Sequence, residues 1–154
     1  MIRDVIDCVI KPALNHLELY SDEAVDLLVG TALAESGLRA LRQFVGGPAL
    51  GFWQMEPATY MDIWGNYIKY RPELRDKVLY AGGISRRKVA PTAEVLSWNL
   101  RYACAMARVH YLRAPGAIPL TVPGQAEYWK QYYNTPLGKG TIEHYMRAWD
   151  KAYA

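Results

Sequence analysis

The sequence predicts a mostly α, single-domain protein, and three observations carry that expectation. Apolar residues recur at three- and four-residue intervals in several separate segments, and no segment alternates with the period of two that a strand requires. A chain of 154 residues, 51% apolar and 21% charged, has the size and composition of one folded domain. No repeat and no linker divides it.

The elements follow in order. Ile2, Val5, Ile6, Val9 and Ile10 form one apolar stripe, which Pro12 is expected to interrupt. Ser21 is a natural N-cap, with Asp22 and Glu23 well placed in the first turn of the next helix. That helix runs through Ala24, Val25, Leu27, Leu28, Thr31, Ala32 and Leu33. It is apolar nearly all round, which marks it as the central, buried helix. Gly37 is its expected C-cap, leaving Glu35 in the last turn.

Gly46, Gly47, Pro48 and Gly51 predict a loop, and Pro57 opens a third helix carrying Tyr60, Ile63, Trp64, Tyr67 and Ile68. "PELRDKVLYA" reads as a short helix before Gly82-Gly83 and the basic run "SRRK", a solvated surface loop. Thr92 is placed to cap a long helix from Ala93 to about Arg113, with Val95, Leu96, Leu100, Ala103, Ala107 and Val109 inward. Pro115, Gly116, Pro119, Pro123 and Gly124 predict an irregular connection, and "QAEYWKQYY" a short helix. Ile142, Tyr145, Met146, Trp149 and Tyr153 have the spacing of a final one.

Composition excludes several function classes. The net charge of +3 is mildly basic and suits an anionic partner without demanding one. Cys8 and Cys104 sit in apolar patterns, as buried free thiols of a reducing compartment would. No run approaches the roughly 18–20 apolar residues of a membrane span. "MIRDVIDCVIKP" lacks the pattern of a signal peptide. There is no His-Glu-x-x-His, no Cys-x-x-Cys and no glycine-rich phosphate loop, so neither metal nor cofactor is expected. His16, His110 and His144 are scattered and read as surface or core groups.

Glu35 stands out. An apolar helix delivers this single carboxylate to a Ser-Gly stop, beside a glycine-rich segment. One reading is structural, with the carboxylate satisfied by an arginine or by backbone amides. The other is chemical: a general acid for glycosidic cleavage must keep its proton near neutral pH, and apolar surroundings do this by disfavouring the charged form.

"AESG" followed by "GFWQMEPATY" resembles the catalytic region of the lysozyme-like lytic transglycosylases, small bacteriophage members in particular. Glu35-Ser36 matches the family's Glu-Ser, Gly51-Phe52-Trp53-Gln54-Met55 its Gly-Leu-Met-Gln-Ile, and Pro57-Ala58-Thr59 its Pro-Ala-Thr. The 19 positions from Glu35 to Gln54 are close to the family spacing. Tyr133-Asn134 stands where the family has a Tyr-Asn pair, and Asn99 with "RVHYL" resembles its preceding helix. Phe52-Trp53 is bulkier than the family's pair, Glu56 replaces an apolar residue, and Thr135-Pro136-Leu137-Gly138 departs from the usual step to glycine.

The resemblance implies a lysozyme-like domain with a central buried helix and a substrate groove, cleaving peptidoglycan glycan strands. Glu35 would be the lone general acid and then base. Ser36, Gln54 and Asn134 would bond sugar or peptide groups, or else the local backbone. Tyr133 would bond Glu35 or pack in the core. Phe52, Met55 and Tyr60 complete the expected binding set, with Trp53 a further groove candidate among the 12 Tyr, 5 Trp and 2 Phe. A muramidase using Glu56 or Asp62 as a second carboxylate, and a non-catalytic virion or glycan-binding protein, are the alternatives. The expected partner is glycan, with no nucleic acid and no membrane span, and the protein is expected to be a monomer. Without an export signal, the protein would wait in the host cytoplasm for a holin-type route to the wall, or travel in the phage virion.

Overall fold

Helix covers 63% of the chain and no strand forms in the computed structural model, which describes Met1–Ala154. The only β pairings are isolated bridges from Leu50 to Arg42 and to Met55. No helix is long and apolar enough to cross a membrane.

The first helix is α1 (Ile2–Val5), a wider π-helical turn over Ile6–Ile10, and α2 (Lys11–Leu17). Pro12 does not interrupt it, contrary to expectation. A proline has no N–H for the carbonyl four residues back and crowds it sterically. The wider turn makes room, and Arg101 Nε donates to that carbonyl, Cys8 O, at 2.9 Å. Val5, Val9, Ile10, Ala13, Leu14 and Leu17 still face the core. Cys8 lies on the outer side and is exposed, so the expectation of two buried thiols holds for Cys104 alone.

Helix α3 (Asp22–Glu35) begins as its sequence predicts, with Ser21 Oγ accepting from Ala24 N at 3.1 Å. Every residue from Ala24 to Ala34 is buried except Asp26. The helix ends in a left-handed Gly37, whose N–H bonds the Ala32 and Leu33 carbonyls. Gly30 sits where a Cβ would fall 1.9 Å from Tyr145 Oη, so the final helix can lie against α3 only over a glycine.

Helix α4 (Pro57–Asn66) opens at Pro57 as expected and buries Tyr60, Ile63 and Trp64. It stops one residue short of Tyr67, and Ile68 enters the core from a short 3₁₀ turn, Ile68–Tyr70. Helix α5 (Pro72–Ala81) covers the predicted segment, and Ser85 to Lys88 are exposed beyond it.

The long helix predicted from Ala93 is broken. A four-residue helix α6 (Val95–Trp98) gives way at Asn99, which is extended, and α7 (Leu100–Leu112) starts there. Asn99 Oδ1 accepts from Tyr102 N at 3.1 Å and its Nδ2 donates to Gly82 O at 2.8 Å. Asparagine is among the strongest N-caps, and here its amide is also held from a second element, so Asn99 displaces Thr92 as the cap.

Helix α8 (Val122–Trp129) starts earlier than predicted because Thr121 caps it through Gly124 N. Pro123 and Gly124 therefore belong to its first turn, where a proline's missing N–H costs nothing. A π-helical turn over Lys130–Asn134 extends it. Helix α9 (Ile142–Ala152), capped by Thr141, buries Tyr145 against Trp129 and α3. Tyr153, which follows its last residue, is half exposed.

Candidate active site

The stretch Leu50 to Met55 is a tight turn whose ends bond each other, Leu50 N to Met55 O at 3.0 Å and Met55 N to Leu50 O at 3.1 Å. Two residues in it have left-handed backbones: Gly51 (φ +78°) and Gln54 (φ +48°). A Cβ on Gly51 would stand 2.4 Å from Leu96 O, so this position admits only glycine. The turn thus lies directly against α6, with Ala103 of α7 also 3.6 Å from that Cβ position.

Three bonds then clamp this turn to the helices. Trp53 Nε1 donates to Leu28 O of α3 at 2.9 Å, and Ser36 Oγ to Phe52 O at 2.7 Å. Tyr133 Oη donates to Trp53 O at 2.6 Å. Ser36 Oγ also meets Ala32 O, and accepts from Leu38 N. Ser36 and Tyr133 thereby satisfy carbonyls of the turn, and the cost of leaving such groups unpaired is about 1–3 kcal/mol apiece, while Trp53 ties the turn to α3.

The clamped turn forms one side of a cleft of about 680 Å³. Glu35, Gln54, Met55, Tyr133 and Asn134 all line it, so five of the eight expected site residues converge. Gln54 Nε2 is turned back to Gly51 O at 2.9 Å. The other three expectations are corrected. Ser36 is buried beneath the turn, with its hydroxyl engaged by protein carbonyls. Phe52 packs against the core and does not line the cleft. Tyr60 is fully buried, its hydroxyl held by Pro91 O and Tyr102 Oη, and Trp53 is buried in the same core. Large aromatics at helical spacing bury the most apolar area, and packing claims them first.

Glu35 is the last residue of α3 and lines the cleft. Burial pushes its carboxyl up to about 7 from an ordinary 4.5, opposed by the Trp129 indole N–H and the Asn134 amide. The carbonyls at the end of α3 add to the upward push, since a helix C-terminus disfavours negative charge. Trp129 Nε1 donates to Glu35 Oε2 at 3.0 Å. The tyrosine expected to bond Glu35 instead holds Trp53, and Trp129 takes its place. Spacing carries the missed signal: Trp129 and Tyr133 are four apart and share a helix face.

Sequence reasoning also missed His110, which lines the cleft edge-on to Tyr133, ring centroids 5.0 Å apart. Burial, then the Arg113 charge, pushes its imidazole down to about 4, so it is neutral at pH 7. Its Nδ1 is buried without a partner. Glu56 lines the cleft as an exposed carboxylate. Asp62 lies outside it, held by Arg113 Nη1 at 2.7 Å and Asn66 Nδ2 at 2.6 Å.

Chemically, the arrangement is an open, polar-walled cleft with one acid that keeps its proton near neutrality and a fixed donor ready to stabilise the carboxylate it leaves. No protein-family model, curated protein or solved structure matches the chain.

Proposed function

We propose that the protein is a peptidoglycan lytic enzyme of lysozyme-like architecture, cleaving the MurNAc–GlcNAc β-1,4 bond with Glu35 as general acid and then base. The observation that carries this reading is a half-buried glutamic acid, pushed up to about 7, in the wall of a cleft of about 680 Å³. A buried helix that ends at this acid supports the lysozyme-like arrangement, as does the Gly51–Met55 turn that walls the cleft.

In the reaction, protonated Glu35 gives its proton to the glycosidic oxygen as the C1–O bond breaks. The resulting carboxylate, held by the Trp129 N–H, then takes the proton of the muramoyl 6-hydroxyl as that oxygen bonds C1. The ring closes as a 1,6-anhydro sugar, Glu35 regains its proton, and no water is consumed. This chemistry would serve a phage endolysin or a virion-borne lysin equally.

One observation favours a second reading. Glu56 lines the same cleft, and a hydrolytic muramidase would use it as the second carboxylate. Mass spectrometry of muropeptides released from purified peptidoglycan separates the two. Anhydro products, with Glu56→Gln nearly silent, support Glu35 acting alone. Reducing-end products one water heavier, abolished by Glu56→Gln, establish the muramidase. Absence of any released muropeptide removes both.

A further inference from the structure

Of the aromatics expected to meet sugar, Trp53 and Tyr60 are buried and Phe52 packs against the core, yet the cleft is not without large apolar side chains at its surface. Among its lining residues two large hydrophobics are exposed, Phe44 at 63% and Leu137 at 98%. They come from different segments: Phe44 from the loop after Leu41, Leu137 from the loop after Asn134. A single exposed apolar side chain means little, but here both stand on the rim of one cleft.

Both loops are held. Gln43 bonds Ala49 twice, its N–H to Ala49 O at 2.9 Å and its Oε1 from Ala49 N at 3.1 Å, which closes the loop carrying Phe44. Lys130 Nζ donates to Asn134 Oδ1 at 2.9 Å and to Gly138 O at 2.8 Å, which closes the loop carrying Leu137. Each loop also contains a residue in a backbone conformation that favours glycine, Val45 (φ +63°) and Thr135 (φ +72°, ψ 155°). A β-branched residue there is strained, and such strain persists where surrounding contacts fix it. Strain and staples together hold two apolar tips in water, where burial would stabilise each.

We infer that Phe44 and Leu137 form an apolar clamp on the cleft rim that takes the C–H faces of a pyranose ring bound near Glu35. The inference rests on the glycan reading of the cleft. A pyranose presents hydroxyls around its edge and C–H groups on its faces, so it needs polar walls and an apolar contact. The cleft has both: Gln54, Thr59, Asn134 and Lys139 in its lining, and Phe44 and Leu137 on the rim.

The test is titration of a soluble β-1,4-linked GlcNAc oligomer into the Glu35→Gln protein, with KM for peptidoglycan measured alongside in the otherwise wild-type enzyme. Phe44→Ala is expected to weaken binding about five- to tenfold and Leu137→Ala about twofold, with Phe44→Trp restoring affinity. In turnover the two alanine variants raise KM and keep kcat. Both positions are exposed, so these variants fold. Unchanged affinity and KM in both alanine variants overturn the clamp and leave the glycan reading standing. A Glu35→Gln protein that binds no oligomer, together with a wild-type protein that releases nothing from peptidoglycan, overturns the glycan reading and the clamp with it.

Discussion

Trp129 donates its indole N–H to Glu35 Oε2 at 3.0 Å, joining α8 to the last residue of α3. Because the bond favours the ionised carboxyl while burial favours the neutral one, the pair sets where the acid titrates. The carboxyl stays protonated near neutrality and its conjugate base still has a donor waiting. Trp129 is itself fixed, buried against Tyr145 and Ala34.

Trp129→Phe keeps an aromatic ring and removes the donor. The carboxyl then loses a group that lowers its pKa, so the alkaline limb of the pH–rate profile moves to higher pH. The fold loses about 1–3 kcal/mol from the smaller ring and the lost bond. A pH–rate profile whose alkaline limb does not move would show that Trp129 only packs.

The raised carboxyl also links stability to pH. Folded Glu35 holds its proton up to about 7 against an ordinary 4.5, so its contribution is greatest below pH 4.5 and is lost as pH rises through 7. The loss is on the order of 3 kcal/mol. Urea unfolding from pH 4 to pH 8 should show this decline in the wild type and not in Glu35→Gln. Lytic rates should fall over the alkaline part of the same window. A rate rising steadily to pH 9 would contradict a protonated acid.

Glu35→Gln should retain its helical circular dichroism and lose lytic activity at least ~100-fold, the scale of a lost general acid. Turbidity of permeabilised Gram-negative cells reads this directly. Near-wild-type lysis would make Glu35 a structural carboxylate.

Gly30→Ala tests the contact between α3 and α9. In a helix interior alanine is favoured over glycine by about 1 kcal/mol. Here the added methyl would overlap the Tyr145 ring and hydroxyl, so the variant should instead lose about 1–3 kcal/mol in urea unfolding. Tyr145→Phe removes a hydroxyl that is buried without a partner and should be neutral or stabilising. A Gly30→Ala protein as stable as the parent would show that α9 yields easily.

What the sequence determined by itself was local. The Ser21 cap, the Gly37 stop and the all-round apolar character of α3 specify a buried helix ending at Glu35, because capping and burial depend on residues within a few positions. The α4, α5 and α9 segments are legible in the same way, from proline starts and helical spacing. The loop that ends in this turn is legible from Gly46, Gly47, Pro48 and Gly51, whereas the need for glycine at 51 comes from Leu96 O, a tertiary contact.

Tertiary structure decided which side chains meet. Pro12 continues its helix because Arg101, distant in sequence, supplies the donor for Cys8 O. Asn99 breaks the long helix because Gly82 O is there to take its amide. Tyr60, Trp53 and Ser36 carry the chemistry of a binding site in sequence, yet each has a partner elsewhere in the fold that buries it. Trp129 reaches Glu35, and His110 the cleft, for the converse reason: the packing of α8 and α7 against α3 brings them there. A side chain's type states what it can bond; only the packed chain determines which of those bonds is available once water is excluded.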